Sequence, residues 1–249
     1  MLSKDNVAIL EKFDFDITPV GVKFLTKPPD GLERLGVNLA LCEMLRKAQE
    51  GNAFFGDAAN HTCEAGQYVL GQADISEPFV SGAFGAGLEI FEAPRSASRL
   101  YLHLPKIDKG VVKYVAFAPL DLLRFDPDLL ILMADAHQTE IILRAMSYRS
   151  GNIWVSKSSP AIGCAWIYSY PFLTGELNYV VTGLGHGMKR RNLFPEGRQL
   201  ISIPFDLIPS LLQTLQEMTW VLPAYKPDGP AFVGQVLEEL GIPLPKQDK

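Results

Sequence analysis

The chain has 249 residues, of which 47% are hydrophobic and 20% are charged, and its formal net charge is -5 at pH 7. A chain this apolar can offset its ordering entropy by burial, which excludes a disordered tail and indicates one large or two small folded domains. The acidic balance argues against a protein dedicated to nucleic acid, and three cysteines are too few for a disulfide scaffold.

The sequence also predicts the cellular location of the protein. Its N-terminus carries charged residues early and lacks the apolar core of a secretory signal. No stretch approaches the roughly 18 apolar residues that a membrane span needs. An odd number of cysteines fits a reducing compartment. We therefore expect a cytoplasmic protein that binds neither a membrane nor nucleic acid.

The first half of the chain predicts a strand followed by a helix. Residues 19–25 are typical of a strand that follows a proline. Apolar positions at helical spacing predict a helix that ends near Gly51, and these positions are Leu41, Met44, Leu45 and Ala48. The landmarks that follow are Cys63, Gly71, a β-rich run at 111–118 and the motif Pro-x-Asp-Leu at 119–122.

The second half shows these features in the same order. Residues 127–133 predict a strand, and residues 140–149 predict a helix that closes at Gly151. The landmarks that follow are Cys164, Gly175, a β-rich run at 199–203 and the motif Pro-x-Asp-Leu at 204–207. An apolar stripe then predicts a helix up to residue 218, and a proline-rich linker leads to a last helix at 229–241.

Landmarks that keep their order indicate an internal duplication, and the alternative is coincidence among common residue types. Two strand–helix–helix–strand units each leave an apolar sheet face uncovered, and joining them into one sheet would bury both faces. We therefore expect an α+β fold in which two related halves share a mixed sheet with helices outside. The chain 1–249 would form one pseudo-twofold domain, with halves at about 15–125 and 126–220 and a C-terminal helix at 229–241. In this scheme Gly51 matches Gly151, and Cys63 matches Cys164.

Cys63 and Cys164 are the candidate catalytic residues. Residues suited to capping precede both, so each thiol is predicted near a helix N-terminus, where the helix dipole favours the thiolate. The alternative is that both are buried as small hydrophobic residues. Because no Cys-x-x-Cys pair is present, we expect no metal site. His61 is two residues from Cys63, and at this spacing it can act as a base only from the loop before the helix.

A glycine-rich basic segment at 183–191 is the candidate binding site for an anion or an organic cofactor. Backbone amides freed by glycine and forked arginine side chains commonly hold a carboxylate or phosphate. The residues assigned to this site are Gly185, His186, Gly187, Lys189, Arg190 and Arg191, with Lys23 as a further cation. The segment matches neither a Walker loop nor the dinucleotide fingerprint, and the alternative is a solvated surface loop. A second glycine-rich stretch, 81–88, carries no cation and is interpreted as a flexible lid or a segment of close backbone approach.

Short motifs spread over nearly the whole chain resemble a prokaryotic family, domain of unknown function 169 (DUF169). The motifs are Pro19–Phe24, the helix that Cys42 opens, Cys63-Glu64-Ala65-Gly66, Leu70-Gly71, Cys164, Pro171-x-x-Thr174-Gly175 and Ile203-Pro204. The family often carries another cysteine among the glycines after Asn178, and its absence here argues against one complete cysteine metal site. The family has no established activity, so the resemblance implies no function.

The sequence leaves three functional hypotheses. The first, which we favour, is a protein that binds an anionic small molecule or organic cofactor between its halves, whether or not it is an enzyme. The second is a metal or iron–sulfur protein that uses its cysteines. The third is a non-catalytic partner subunit of a larger enzyme, which would expose an apolar patch and form no pocket. No particular cofactor is identified, and a homo-oligomer is compatible with the sequence.

Overall fold

The computed structural model describes residues 7–243. The strands are β1 (Val20–Leu25), β2 (Phe54–Asp57), β3 (Tyr114–Pro119), β4 (Leu129–Ala134), β5 (Asn178–Val181) and β6 (Gln199–Pro204). The α-helices are α1 (Leu41–Gln49), α2 (Glu64–Val69), α3 (Glu77–Val80), α4 (Ala83–Gly87), α5 (Pro94–Tyr101), α6 (Ala136–Ser147), α7 (Tyr170–Thr174), α8 (His186–Arg190), α9 (Ile208–Glu217) and α10 (Gly229–Glu239). A π-helical segment, Ala165–Ser169, runs directly into α7. Within these described residues, no helix has the length and apolar character needed to cross a membrane.

The six strands form one continuous sheet in the order β2-β3-β1-β4-β6-β5, and every neighbouring pair is antiparallel. The prediction of a mixed sheet is therefore wrong. β1 and β2 both pair antiparallel with β3, so they run in the same direction, but β3 lies between them. β6 separates β4 from β5 in the same way. Strands that run in the same direction are thus never neighbours in this sheet.

Helices cover both faces of the sheet, and each face has its own hydrophobic core. On the first face, Val22 and Phe117 belong to one buried cluster with Met44 of α1 and Tyr168 of the π-helical segment. On the second face, the cluster contains Leu130, Leu132 and Ile201 of the sheet, Ile142 of α6 and Leu211 of α9. Every residue of β4 is buried, as expected for a strand that is covered on both sides.

The two helices that the sequence landmarks matched, α1 and α6, lie on opposite faces. Met44 of α1 lies in the first-face core, whereas Ile142 of α6 lies in the second-face core. The central strands β1 and β4 are antiparallel, so a twofold axis that relates them is perpendicular to the sheet. Rotation about this axis would carry a helix to a position on the same face of the sheet, and it therefore cannot place α1 on α6. Gly51 and Gly151, which follow these two helices, therefore do not occupy matching places, and that predicted correspondence is wrong.

Local sequence accounts for the ends of both helices. The Asp135 carboxylate accepts a hydrogen bond from the Gln138 backbone N–H at 2.7 Å, and Gln138 Oε1 accepts one from the Asp135 N–H at 2.9 Å; this capping box opens α6. At the start of α1, Glu43 Oε2 accepts a hydrogen bond from the Ala40 N–H at 2.6 Å. α1 ends at Gln49, and Gly51, which follows the C-cap residue, has a φ of 92°, a left-handed angle that suits only glycine well. These contacts fix the first turn of α1, which contains Cys42.

Candidate functional site

A cavity of about 580 Å³ lies where several segments of the chain meet. Its lining comes from the start of α1, the start of α2, helices α3 to α5, residues 161–164 ahead of the π-helical segment, and residues 185–191 around α8. Residues from both parts of the chain, 42–101 and 161–191, therefore contribute to its wall. Small-molecule sites typically have volumes of roughly 300–1,000 Å³, so the cavity is large enough for an organic ligand.

Helices α3 to α5 and the loop between α4 and α5 supply an apolar wall. Its main side chains are Phe79, Phe84, Leu88, Ile90, Phe91 and Leu100. The ring centroids of Phe79 and Phe84 are 4.4 Å apart. Phe84 and Leu88 remain 44% and 41% exposed, respectively. Large apolar side chains that line a cavity and stay accessible to solvent suit the apolar part of a ligand.

Two glycines allow α4 to pack closely against α5. Gly82 has a φ of 82°, and a Cβ atom at this position would lie 2.0 Å from the Pro94 carbonyl oxygen. A Cβ atom at Gly85 would lie 3.0 Å from the Cβ atom of Ala97. Of the two interpretations of the stretch 81–88, the geometry fits a segment of close backbone approach.

Replacing Gly82 with Ala should lower the free energy of unfolding by about 2 kcal/mol, because the methyl group requires a strained backbone angle and meets a backbone oxygen. Gly87→Ala is the matched control. It is the last residue of α4, the helix that Gly82 precedes, and nothing lies within 4 Å of an added Cβ atom, so the change should stabilise by about 0.5–1 kcal/mol. Urea unfolding measures both. Equal stabilities for the two variants would contradict this role of Gly82.

A second part of the cavity wall is cationic. Gly185, His186, Gly187, Arg190 and Arg191 all line it. The Arg191 Nη1 donates a hydrogen bond to the Gly187 carbonyl oxygen at 3.0 Å, and the Arg191 side chain is only 20% exposed. The Arg190 side chain is exposed and has no hydrogen bond or ion pair within the described part of the chain. The site therefore holds one positioned guanidinium and one that is available to a ligand.

Lys189, which the sequence assigns to the same site, is not among the residues that line the cavity. Its Nζ atom is 2.8 Å from Glu196 Oε1, and this ion pair lowers the pKa of the Glu196 carboxyl. Residues three and four apart share a helix face, which groups Gly187 with Arg190 and Arg191 and leaves Lys189 outside. Helical periodicity, applied to 186–191, would have separated Lys189 from the two arginines.

Lys23 is also held elsewhere. Its Nζ atom donates a hydrogen bond to the Asp126 carbonyl oxygen at 2.6 Å and lies 3.7 Å from Asp128 Oδ1. The side chain lines a separate cleft beside β1 and β3. The structure therefore does not bring Lys23 to the glycine-rich segment.

All three cysteines line the cavity. Cys42 and Cys164 are buried and Cys63 is partly buried. Burial raises the pKa of the Cys42 thiol to about 11, and the nearby Arg191 opposes this rise. Burial, followed by the neighbouring Cys42 and Cys63, raises the pKa of the Cys164 thiol well above its ordinary value. The three sulfur atoms therefore interact electrostatically, and two of them stay protonated at neutral pH.

Cys42 belongs to this group although its sequence context predicts only a residue of an apolar helix. It lies in the first turn of α1, at the end of the helix that faces the cavity. Among residues 7–243, no three or more His, Cys, Asp or Glu side chains are grouped so that they could hold a metal ion. The arrangement is thus a thiol-lined cavity floor next to Arg191.

Tyr168 lies fully buried next to two of these thiols. Burial, followed by interaction with Cys164 and Cys42, raises the pKa of its hydroxyl well above the ordinary value. The hydroxyl has no hydrogen-bond partner among the described residues, and a buried polar group without a partner is costly. Tyr168 lies in the π-helical segment, an interruption that often occurs at functional sites. No sequence pattern signals this residue.

His61 is partly buried near the start of α2 and is not part of the cavity lining. Neither ring nitrogen has a hydrogen-bond partner within the described residues. Burial lowers the pKa of His61 to about 4, against a weaker opposing effect of Asp57. The imidazole is therefore neutral at pH 7, and the structure shows no contact through which it would act as a base on Cys63.

The lowered pKa of His61 predicts a loss of stability in mild acid. The unfolded chain, in which histidine has a pKa near 6.5, binds a proton that the folded protein excludes until the pH reaches about 4. Stability should therefore fall as the pH drops from about 6.5 to 4, and between pH 7 and pH 5 this histidine should contribute a loss of about 2 kcal/mol. Urea unfolding at both pH values checks this. His61→Leu should remove that part of the loss, and an unchanged pH dependence in the variant would contradict it.

Residues 8–214 match the family model of DUF169, which is described as "Uncharacterised ArCR". No curated protein and no protein of solved structure shows a significant match to the chain. The matched region includes the sheet and every residue of the cavity lining, whereas α10 lies outside it. Since the match covers most of the chain, this protein belongs to the DUF169 family, as its cysteine and glycine motifs predict.

Proposed function

We propose that this protein binds an amphipathic organic anion, a molecule with an apolar body and a carboxylate or phosphate group, in the thiol-lined cavity. The observation that carries the proposal is the division of the cavity wall. Aromatic and aliphatic side chains of α3 to α5 and of the loop between α4 and α5 form one part of the wall, and Arg190 and Arg191 belong to another. A ligand with both characters satisfies both parts at once.

The anionic group would bind at Arg190 first. This guanidinium has no partner among the described residues, so no existing contact has to break. Arg191 is already oriented by the Gly187 carbonyl oxygen, while its Nε lies 3.7 Å from Glu43 Oε1. The Glu43 carboxylate would compete with a ligand for Arg191, so a weakly charged ligand would not bind to this guanidinium. Charge-assisted, forked contacts of this kind favour carboxylates and phosphates.

Of the two cysteines that the sequence nominates as catalytic, we assign the ligand-facing role to Cys63. Only the thiolate is a nucleophile, and burial keeps Cys164 protonated, as it does Cys42. Cys164 and Cys42 would then serve as the soft, apolar floor of the cavity. Cys63 is the more accessible thiol, and it lies directly before α2.

We further propose that the two halves are duplicated, but with a different match of helices. Each half contributes three consecutive strands to the sheet. From the edge of the sheet to its centre, the second, third and first strand of each half follow in the same order, β2-β3-β1 in one half and β5-β6-β4 in the other. α1 then corresponds to the π-helical segment with α7, since both pack on the first face and both are followed by a left-handed glycine, Gly51 or Gly175. This match relates Cys42 to Cys164 and makes α6 an element of the second half alone.

A ligand series of fixed apolar size tests the proposed binding. Decanoate, decyl phosphate, decanol and decylamine would each be titrated against 8-anilinonaphthalene-1-sulfonate, a fluorescent amphipathic anion, bound to the protein. The two anions should displace the dye at concentrations at least about tenfold lower than decanol, since each gains a charge-assisted contact. Equal displacement by all four compounds would indicate an apolar surface without an anion site and would contradict the proposal.

A further inference from the structure

We propose a second binding site, for a small organic amine with at least two ammonium groups, in an acidic cleft at the other end of α1. The cleft has a volume of about 770 Å³. Its charged and amide side chains are Glu11, Asp14, Asp16, Asp121, Arg124 and Gln49, and this set defines the acid cleft. The site is independent of the anion-binding function proposed above.

The acid cleft is separate from the thiol-lined cavity. It lies between the helical turn Ala8–Phe13, the C-terminal end of α1 and the turn Leu120–Leu122 that follows β3. Gln49 is the last residue of α1, whereas Cys42 is in its first turn. They are seven positions apart along the helix, a distance of about 10 Å at 1.5 Å per residue. α1 therefore connects the two sites, and a ligand in one does not fill the other.

The charges of the cleft favour a cation. Four carboxylates and one guanidinium line the cleft, and among the described residues only Asp16 of these carboxylates forms an ion pair, with Arg198. Glu11, Asp14 and Asp121 have no side-chain hydrogen bond or ion pair within the described residues. The Arg124 Nη1 instead contacts the carbonyl oxygens of Asp121 and Leu123, each at 3.2 Å.

Gln49 provides an observation of a different kind. It is 8% exposed, and within the described residues neither its side-chain oxygen nor its side-chain nitrogen has a hydrogen-bond partner. A buried amide without a partner costs free energy unless a ligand supplies one. Its carbonyl oxygen can accept a hydrogen bond from an ammonium group. The C-terminal end of α1 adds a partial negative charge at the same place.

The spacing of these groups favours an extended amine over a metal ion. No three acidic, histidine or cysteine side chains among the described residues are grouped as metal ligands, which includes the carboxylates of the acid cleft. Carboxylates spread over a cleft of this volume instead suit several ammonium groups that a carbon chain holds apart. Putrescine and spermidine are the simplest molecules of this class.

Isothermal titration calorimetry at low ionic strength tests the site with putrescine and spermidine. Both should bind, spermidine more tightly, whereas butylamine should bind at least about tenfold more weakly because it has one ammonium group. Asp121→Asn and Asp14→Asn should each weaken spermidine binding about tenfold. Asp108→Asn, which removes an exposed carboxylate outside the cleft, is the matched control and should have no effect.

Gln49→Met separates a binding role from a structural one. The change replaces an unpartnered amide with an apolar side chain of similar length, so the unfolding temperature of the ligand-free protein should not fall, while spermidine binding should weaken about tenfold. Binding of Mg²⁺ as tight as that of spermidine, equal losses in Asp108→Asn and Asp121→Asn, or unchanged spermidine affinity in Gln49→Met would each overturn the proposal.

Discussion

Replacing Arg190 with Ala should weaken the binding of decanoate, or of another amphipathic anion, about tenfold to a hundredfold. The variant loses a charge-assisted contact of about 1.5–3 kcal/mol. Because Arg190 has no partner among the described residues, its removal leaves no protein group unpaired. The free energy of unfolding should therefore change by less than about 0.5 kcal/mol. Calorimetric titration and urea unfolding of the same preparation measure the two quantities.

Lys189→Ala is the control that the structure offers for this experiment. Lys189 lies in the same helix and carries the same charge, but it pairs with Glu196 and does not line the cavity. Its removal should leave the affinity for decanoate within about twofold, since exposed ion pairs contribute little. If both variants lost affinity equally, the effect would come from the overall charge of the segment, and a direct contact by Arg190 would be contradicted.

The sequence predicted the four inner strands β1, β3, β4 and β6, because each is a short apolar run between strong local signals, but it did not predict the four-residue edge strands β2 and β5. The predicted strand at 19–25 corresponds to β1, and the run at 199–203 corresponds to β6. What it could not predict was the face on which each helix packs. That choice depends on long-range pairing between strands, such as β1 with β4, and not on the helix itself. The wrong match of Gly51 with Gly151 followed from this.

Much of the candidate site could also be read from residue types. One cavity is lined by the two cysteines Cys63 and Cys164 and by four glycine and arginine residues of the basic segment, because each is near the end of a helical segment that meets the others; the four are Gly185, Gly187, Arg190 and Arg191. Cys42 and Tyr168 were missed. Both look like ordinary core residues of apolar helices, and only the packing of α1 against the π-helical segment shows that they adjoin Cys164.

Cys63 should be the first thiol that iodoacetamide alkylates in the folded protein, and bound decanoate should protect it. Burial raises the pKa of Cys42 from 9.0 to about 11 and that of Cys164 well above its ordinary value. At neutral pH a rise of this size lowers the thiolate fraction of Cys42 about a hundredfold, so Cys42 should react at least about a hundredfold more slowly in the folded than in the unfolded chain.

Peptide mass spectrometry at successive times of alkylation distinguishes the three sites. Cys63→Ser should abolish the fast reaction, whereas Cys42→Ser, the matched control in the same cavity, should leave it intact. Saturating decanoate should slow the alkylation of Cys63, because the ligand would occupy the space through which the reagent reaches the sulfur atom. Alkylation of Cys42 or Cys164 ahead of Cys63 would contradict the order that burial dictates. A reaction at Cys63 that decanoate leaves unchanged would mean that the anion does not bind where the apolar wall, the arginines and this thiol meet.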